Sequence, residues 1–256
     1  MIKAGIRGAV TWVDLSTPDV ASAVHFYREL FGWTDVEESE TPMGQYFIGM
    51  AGDRRVGGMM GQGPELAGTP AMWTTFIYAD DIEATVAKVE EVGGTVLEKP
   101  FDVPGDAQVA VVADSTGAVF GLFAGPEIEG EYFSRDIGGV SWVELLTRAP
   151  DVAEGFYADL FGWKAETSSA SGTTYTTFMM AEEMVAGMMM MPDMVPAGAP
   201  NHWGPYFTVA DCHLAEAQTV ELGGQILVPT KILDMGKFAV ASDPQGAVFN
   251  IMEYTE

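Results

Sequence analysis

"FYRELFGW" at residues 26–33 returns as "FYADLFGW" at residues 156–163, with six of eight letters agreeing at a separation of 130 residues. The match extends outward on both sides. Upstream, "WVDL" (12–15) recurs as "WVEL" (142–145). Downstream, Trp73 recurs as Trp203, and "EEVGG" (90–94) as "VELGG" (220–224), at the same spacing. "DSTGAVFGLF" (114–123) recurs as "DPQGAVFNIM" (243–252) one residue closer, so one loop position has dropped out. The 256-residue chain is a duplication, its first half written again in its second.

Each half divides once more. "GAVTWVDLST" alternates, placing Val10, Trp12 and Asp14 on one face and Thr11, Val13 and Leu15 on the other, as a strand does. Asp19 then caps a predicted helix in which Val20, Ala23, Val24 and Tyr27 share a stripe, ended by Gly32. In the next quarter "WTTFIYAD" is another strand, and Asp80 opens a helical stretch reaching Gly93, again 13 residues on. Short apolar strands with Gly-rich turns follow each helix: "QYFIGMAG", "RVGGMMG", then "TVLEKPF", "AQVAVVAD" and "GAVFGLF". The unit is strand–helix–strand–strand–strand, present four times. Its helix covers one sheet face and leaves the other bare, so two units are expected to join their sheets around a cleft suited to a small molecule. "AGPEIEGEYFSR" (124–135), rich in Gly and Glu, reads as the linker between the two pairs.

Composition narrows the partners. Hydrophobic residues at 48% describe a globular chain with a substantial core. The net charge of −25 is spread over both halves and repels phosphate backbones and anionic lipid. No nucleic-acid partner and no membrane partner is therefore expected, and no apolar run approaches the roughly 20 residues of a membrane span. Cys212 is the single cysteine, which excludes an internal disulfide and suits a reducing compartment. "MIKAGIRGAVTWVDL" lacks the apolar core of a secretory signal, so the expected location is cytoplasmic. The oligomeric state is left open.

"FYRELFGW", "FYADLFGW", "DSTGAVFGLF" and "DPQGAVFNIM" together resemble the vicinal oxygen chelate superfamily, the glyoxalase/bleomycin-resistance/dioxygenase group. The resemblance covers nearly all of residues 6–254 and is strongest to tandem glyoxalase-like proteins of actinobacteria. It implies an α+β fold of four βαβββ modules paired into two domains with curved eight-stranded mixed sheets. The expected division is a first domain at 1–125, a linker at 126–135 and a second domain at 136–256.

The resemblance also implies where a divalent ion would be held. Metal-dependent members use His, Gln or Glu from the first and last strands of paired modules. The corresponding positions here are Trp12 and Trp142, Trp73 or Thr74, Trp203 or Gly204, and Gly121 and Asn250. Tryptophan, glycine and threonine do not supply the donor set such ions require. The histidines number three, and His25 and His213 are expected to face solvent on helices. No metal and no cofactor are therefore expected.

Aromatic groups stand where ligands would. Trp12, Trp73, Trp142 and Trp203 are candidate ligand-binding residues, offering stacking area and a directional indole N–H; packing that merely fills the cleft is the alternative. Eight of the sixteen methionines lie between 179 and 194, read as strand core before adaptable pocket wall. Asp14 and Glu144 are candidate catalytic residues, each two positions after a tryptophan on the same strand face. Burial there would raise a carboxyl pKa toward the range useful in proton transfer. Pairing with Arg7, Arg135 or Arg148, or hydrogen bonding to neighbouring backbone, is the structural alternative. His202 and Asn250 complete the candidate ligand-binding set. Three readings follow: a binder that sequesters or detoxifies a small apolar or aromatic metabolite, a cofactor-independent lyase or isomerase with Asp14 or Glu144 as base, and a non-catalytic assembly scaffold.

Overall fold

The computed structural model describes residues 3, 5–33, 35–41, 44–66, 68–126, 132–170 and 173–255; residues 127–131 of the expected linker lie outside the described set. Module one comprises β1 (Val10–Thr17), α1 (Val20–Phe31), β2 (Asp35–Thr41), β3 (Gly44–Ala51) and β4 (Arg54–Gly61). Module two comprises β5 (Met72–Tyr78), α2 (Ile82–Glu91), β6 (Thr95–Val103), β7 (Ala107–Ala113) and β8 (Val119–Ala124). Module three comprises β9 (Val140–Thr147), α3 (Pro150–Phe161), β10 (Lys164–Ala170), β11 (Thr173–Met180) and β12 (Glu183–Met190). Module four comprises β13 (His202–Thr208), α4 (Cys212–Glu221), β14 (Gln225–Leu233), β15 (Gly236–Ser242) and β16 (Val248–Tyr254). The fold is a mixed α/β arrangement dominated by strands. No described helix is long and apolar enough to cross a membrane.

Local chemistry sets the element ends. The Asp19 carboxylate accepts from the Ser22 N–H at 3.0 Å and so caps α1, while Gly32 takes the left-handed φ of 66° that ends it. The α2 cap is Asp81, accepting from Ala84 N–H at 2.9 Å, one residue later than the expected Asp80. Within α1 the buried stripe is Ala23, Phe26, Tyr27, Leu30 and Phe31. It keeps the helical period but is rotated from the expected one, because the large aromatics supply most of the area withdrawn from water. Strands β2 and β10 are edge strands, each paired antiparallel to one neighbour, β3 and β11. Their sequences, "DVEESET" and "KAETSSA", carry almost none of the apolar alternation that reveals a half-buried strand.

In every module the first and last strands pair in parallel and the others antiparallel. The registers are equivalent: Asp14 opposite Gly58, Phe76 opposite Gly121, Glu144 opposite Gly187, and Tyr206 opposite Asn250.

The compact units cut across the two halves of the sequence. One is built from Trp12–Thr74, Phe133–Trp142 and Gly204–Glu256, and so mainly from modules one and four, with the first residues of β5 and β9; it is called the one–four unit. The other is built from Met1–Thr11, Thr75–Tyr132 and Val143–Trp203, and so mainly from modules two and three, with the first residues of β1 and β13; it is called the two–three unit. The stretches 1–125 and 136–256, expected to be domains, each contribute to both units. The contacts inside each unit give the reason. In the one–four unit α1 packs on α4, and the Tyr27 hydroxyl donates to Asp243 at 3.1 Å. In the two–three unit α2 packs on α3, and the Tyr157 hydroxyl donates to Asp114 at 3.0 Å. A repeat reveals that a module was copied; it carries no record of which copy covers which.

Candidate functional site

Asp14 sits on the helix-free face of β1. Period-two alternation buries Thr11, Val13, Leu15 and Thr17 and leaves Trp12, Asp14 and Ser16 half-buried on the other side. The Asp14 Oδ1 accepts from the Tyr46 hydroxyl at 2.5 Å and from the Trp12 indole N–H at 2.8 Å. The single indole hydrogen is shared, since the Tyr46 oxygen also lies 2.8 Å from Trp12 Nε1. Glycine at 58 makes the cluster possible, because a Cβ there would run into both the Tyr46 hydroxyl and the Asp14 carboxylate. Burial lifts the Asp14 carboxyl from 3.8 to about 6, against hydrogen bonds from Tyr46, Trp12 and the Gly58 backbone that favour the anion. A carboxyl of that strength exchanges its proton near neutral pH.

Tyr46 is the member that the sequence reading missed. Its signal was present: "GQYF" at 44–47 and "TTYT" at 173–176 place Tyr46 and Tyr175 at equivalent registers, opposite Met60 and Met189. Neither tyrosine belongs to the phrases that carry the repeat, and β3 pairs next to β4, away from β1 in the chain order.

The other candidates divide by place. Glu144, equivalent to Asp14 on the helix-free face of β9, is 5% exposed. Trp142 is half-buried, its ring 5.6 Å from that of Phe133. Asn250 is buried and its amide donates to the Pro205 carbonyl at 3.2 Å, lying over Gly204. His202 is half-buried with Nδ1 3.0 Å from the Pro200 carbonyl. The arginines weighed as partners bond elsewhere: Arg7 to Leu160 O and Asp80, Arg148 to Pro196 O, and Arg135 over the Tyr254 ring at 4.3 Å.

Trp73 and Trp203 lie in the core, not on the face of Asp14. Each is at most 4% exposed. In the one–four unit the Trp73 indole donates to the Tyr27 hydroxyl at 3.0 Å, which in turn donates to Asp243. In the two–three unit Trp203 donates to Tyr157 at 2.9 Å, which donates to Asp114. Asp243 Oδ1 also accepts from the Gln245 and Ala247 N–H groups, and Asp114 Oδ1 from Thr116 and Ala118. Burial and the neighbouring carboxylate push both phenols well above 10. These fully bonded chains join "FY" to the "D-x-x-G-A" turns, so the repeated phrases encode module packing. Alternation placed Trp73 and Trp203 on the helix side of their strands, one residue off the cleft positions Thr74 and Gly204.

The sequence model of the Glyoxalase/Bleomycin resistance protein/Dioxygenase superfamily matches residues 9–122. CFP32 of Mycobacterium tuberculosis, whose name proposes a glyoxylase, is 36% identical over 254 residues, covering 96% of this chain and 95% of that protein. The anthracycline biosynthesis protein DnrV of Streptomyces peucetius is 33% identical over 261 residues, covering 97% of this chain and 94% of that one. Among solved structures, the Mn(II)-bound glyoxalase of Novosphingobium aromaticivorans matches with a TM-score of 0.63 at 14% identity, covering 98% of this chain and 83% of the other. The 2,3-dioxygenase LapB of Pseudomonas sp. KL28 matches with a TM-score of 0.62 at 12% identity, covering 98% and 94%.

The residues here do not fit the divalent ion that this fold holds in its metal-dependent members. At the positions that correspond to ligands module one offers Trp12, module two Thr74 and Gly121, module three Trp142, and module four Gly204 and Asn250, with Asp14 and Glu144 each two residues further along its strand face. Asp14 Oδ1 already accepts from an indole and a phenol, the Asn250 amide is turned to a backbone carbonyl, and the space over Gly121 is filled by the Phe76 ring. One carboxylate per unit is too few oxygen donors. No cluster of three or more His, Cys, Asp and Glu is present among the described residues. In sequence over nearly its whole length and in fold, the chain belongs to the glyoxalase/bleomycin resistance/dioxygenase superfamily.

Proposed function

We propose that this protein is a metal-independent member of the superfamily that binds a small, uncharged, largely aromatic metabolite at Trp12, Asp14 and Tyr46, holding it for sequestration or detoxification. The observation that carries this reading is the Asp14 carboxyl, kept on a helix-free face by an indole and a phenol and tuned to about 6. Such a group accepts a hydrogen bond from a ligand hydroxyl and exchanges a proton with it near neutral pH. Trp12 beside it supplies a ring for stacking. The chain's charge of −25 and the carboxylate itself disfavour anionic ligands. A relative named for anthracycline biosynthesis supports a planar hydroxyaromatic ligand class. Titration of the purified protein with a dihydroxyanthraquinone, followed by quenching of tryptophan emission, is expected to saturate. Asp14→Asn is expected to weaken binding about tenfold or more while leaving the fold intact. Unaltered affinity in that variant would remove Asp14 from the site.

A second reading is favoured by the same tuned carboxyl: a cofactor-independent lyase or isomerase in which Asp14 removes a proton from the bound molecule. Conversion of the ligand during prolonged incubation, abolished by Asp14→Asn, separates catalysis from holding. Independence from metal has its own check. Elemental analysis is expected to find no stoichiometric Mn, Fe, Ni or Zn, and a chelator is expected to leave the melting temperature unchanged, since no metal binding is linked to folding.

A further inference from the structure

The two units hold the same four register positions with different contents. In the one–four unit Asp14 and Tyr206 both keep solvent contact, being half-buried. Their counterparts in the two–three unit are more deeply buried: Glu144 is 5% exposed and Phe76 is 7% exposed. Phe76 stands on the helix-free face of β5, on the same side as Thr74 and opposite to Trp73, Thr75 and Ile77, so its burial is not that of a residue under a helix. Its ring occupies the space directly over Gly121, where a Cβ would collide with it. Module four keeps that position polar instead, with the buried Asn250 amide over Gly204. The phenylalanine–glycine pair carries no side-chain hydrogen-bonding group, where the other unit has a tyrosine hydroxyl and an asparagine amide, and the Phe76 ring lies across the place that Asn250 fills there.

Building on the ligand reading above, we propose that only the one–four unit takes a ligand, that Phe76 closes the equivalent place in the two–three unit, and that each chain therefore binds one molecule. Phe76 is then the residue that decides how many sites the duplication retains.

Two measurements on the full chain test this. Carboxyl footprinting with a water-soluble carbodiimide and glycine ethyl ester, read by peptide mass spectrometry, needs no ligand. Asp14 is expected to be labelled and Glu144 to be protected; in Phe76→Ala, labelling of Glu144 is expected to rise several-fold while that of Asp14 stays as it was. Equal labelling of the two carboxyls in the unaltered protein, or no change at Glu144 in Phe76→Leu and Phe76→Ala alike, would overturn the proposal. Calorimetric titration with a dihydroxyanthraquinone is expected to give one molecule per chain, and two in Phe76→Ala. Two equivalent binding events without any substitution would also overturn it. If that probe does not bind, the ligand class proposed above fails, and the labelling contrast still decides whether the two units differ.

Discussion

Asp14 holds a proton more tightly in the folded chain than in the unfolded one, and this fixes the sign of its contribution to stability. Its folded value of about 6 lies above the 3.8 of an unperturbed carboxyl. The stabilisation is therefore fully present below about pH 4 and is lost as pH rises through 6, leaving an ionised, poorly solvated carboxylate at pH 8. Two pH units correspond to at most about 3 kcal/mol, and the half-buried position of Asp14 keeps the real figure below that. An asparagine at 14 still accepts from Trp12 and Tyr46 without the cost of ionisation. Asp14→Asn is expected to melt above the parent protein at pH 8 and close to it at pH 4. A lower melting temperature for the variant at pH 8 would mean that the anion is the form the fold prefers. Tyr46→Phe removes the hydrogen bond that does most to favour the anion, so the Asp14 carboxyl should titrate above 6, visible as an upward move of its carbon-13 midpoint. At this scale the sequence showed the strand face that Asp14 shares with Trp12 and Glu144 with Trp142, because alternation along one strand is local. It hid Tyr46, whose place depends on a register between strands that no local pattern records.

Two of the helices, α1 and α3, are held to their partner modules by a hydroxyl each. Tyr27 on α1 and Tyr157 on α3 stand between an indole donor and a carboxylate acceptor, all out of water. Phenylalanine at either position keeps the ring packing, including the T-shaped contact of Tyr27 with Trp73 at 5.2 Å and the stacking of Tyr157 on Trp163 at 5.1 Å. It leaves an indole N–H and a carboxylate oxygen without their partner. Each substitution is expected to lower stability by about 1–3 kcal/mol, measured by urea unfolding, with equal effects in the two units because the networks are repeat-related. A loss confined to one tyrosine would show that the units are not equally dependent on this link. These elements were legible in type and order, since Gly32 and Gly162 and the aspartate caps of α1, α2 and α4 mark helix ends locally. What the phrases were for was not legible. "FYRELFGW" drew attention as a repeat beside a carboxylate, yet its tyrosine serves packing and its neighbour Asp14 serves the candidate site. The polar end strands β2 and β10 escaped because nothing on them alternates.

At the scale of the whole chain, each compact unit draws modules from both halves of the sequence, and this governs what cutting the chain should do. Had modules one and two formed a domain, as chain order suggested, residues 1–126 alone would fold as a monomer. In the observed arrangement that fragment would leave α1 without α4 and α2 without α3. It would also strand Asp114 without Tyr157, and Tyr27 without Asp243. Buried aromatic area of this kind is the main driving force for a small unit, and exposing it leaves either an unfolded chain or one that borrows a copy of itself. Residues 1–126 and 132–256, expressed separately, are therefore expected not to give folded monomers. Mixed after refolding together, they are expected to form a one-to-one complex with the circular dichroism of the intact chain. A protease cut within 127–131 is likewise expected to leave the two pieces associated until denaturant is added. Size-exclusion chromatography with light scattering reads all three results. Monomeric, cooperatively unfolding halves would instead restore the division at 126–135 and undo the pairing of module one with module four.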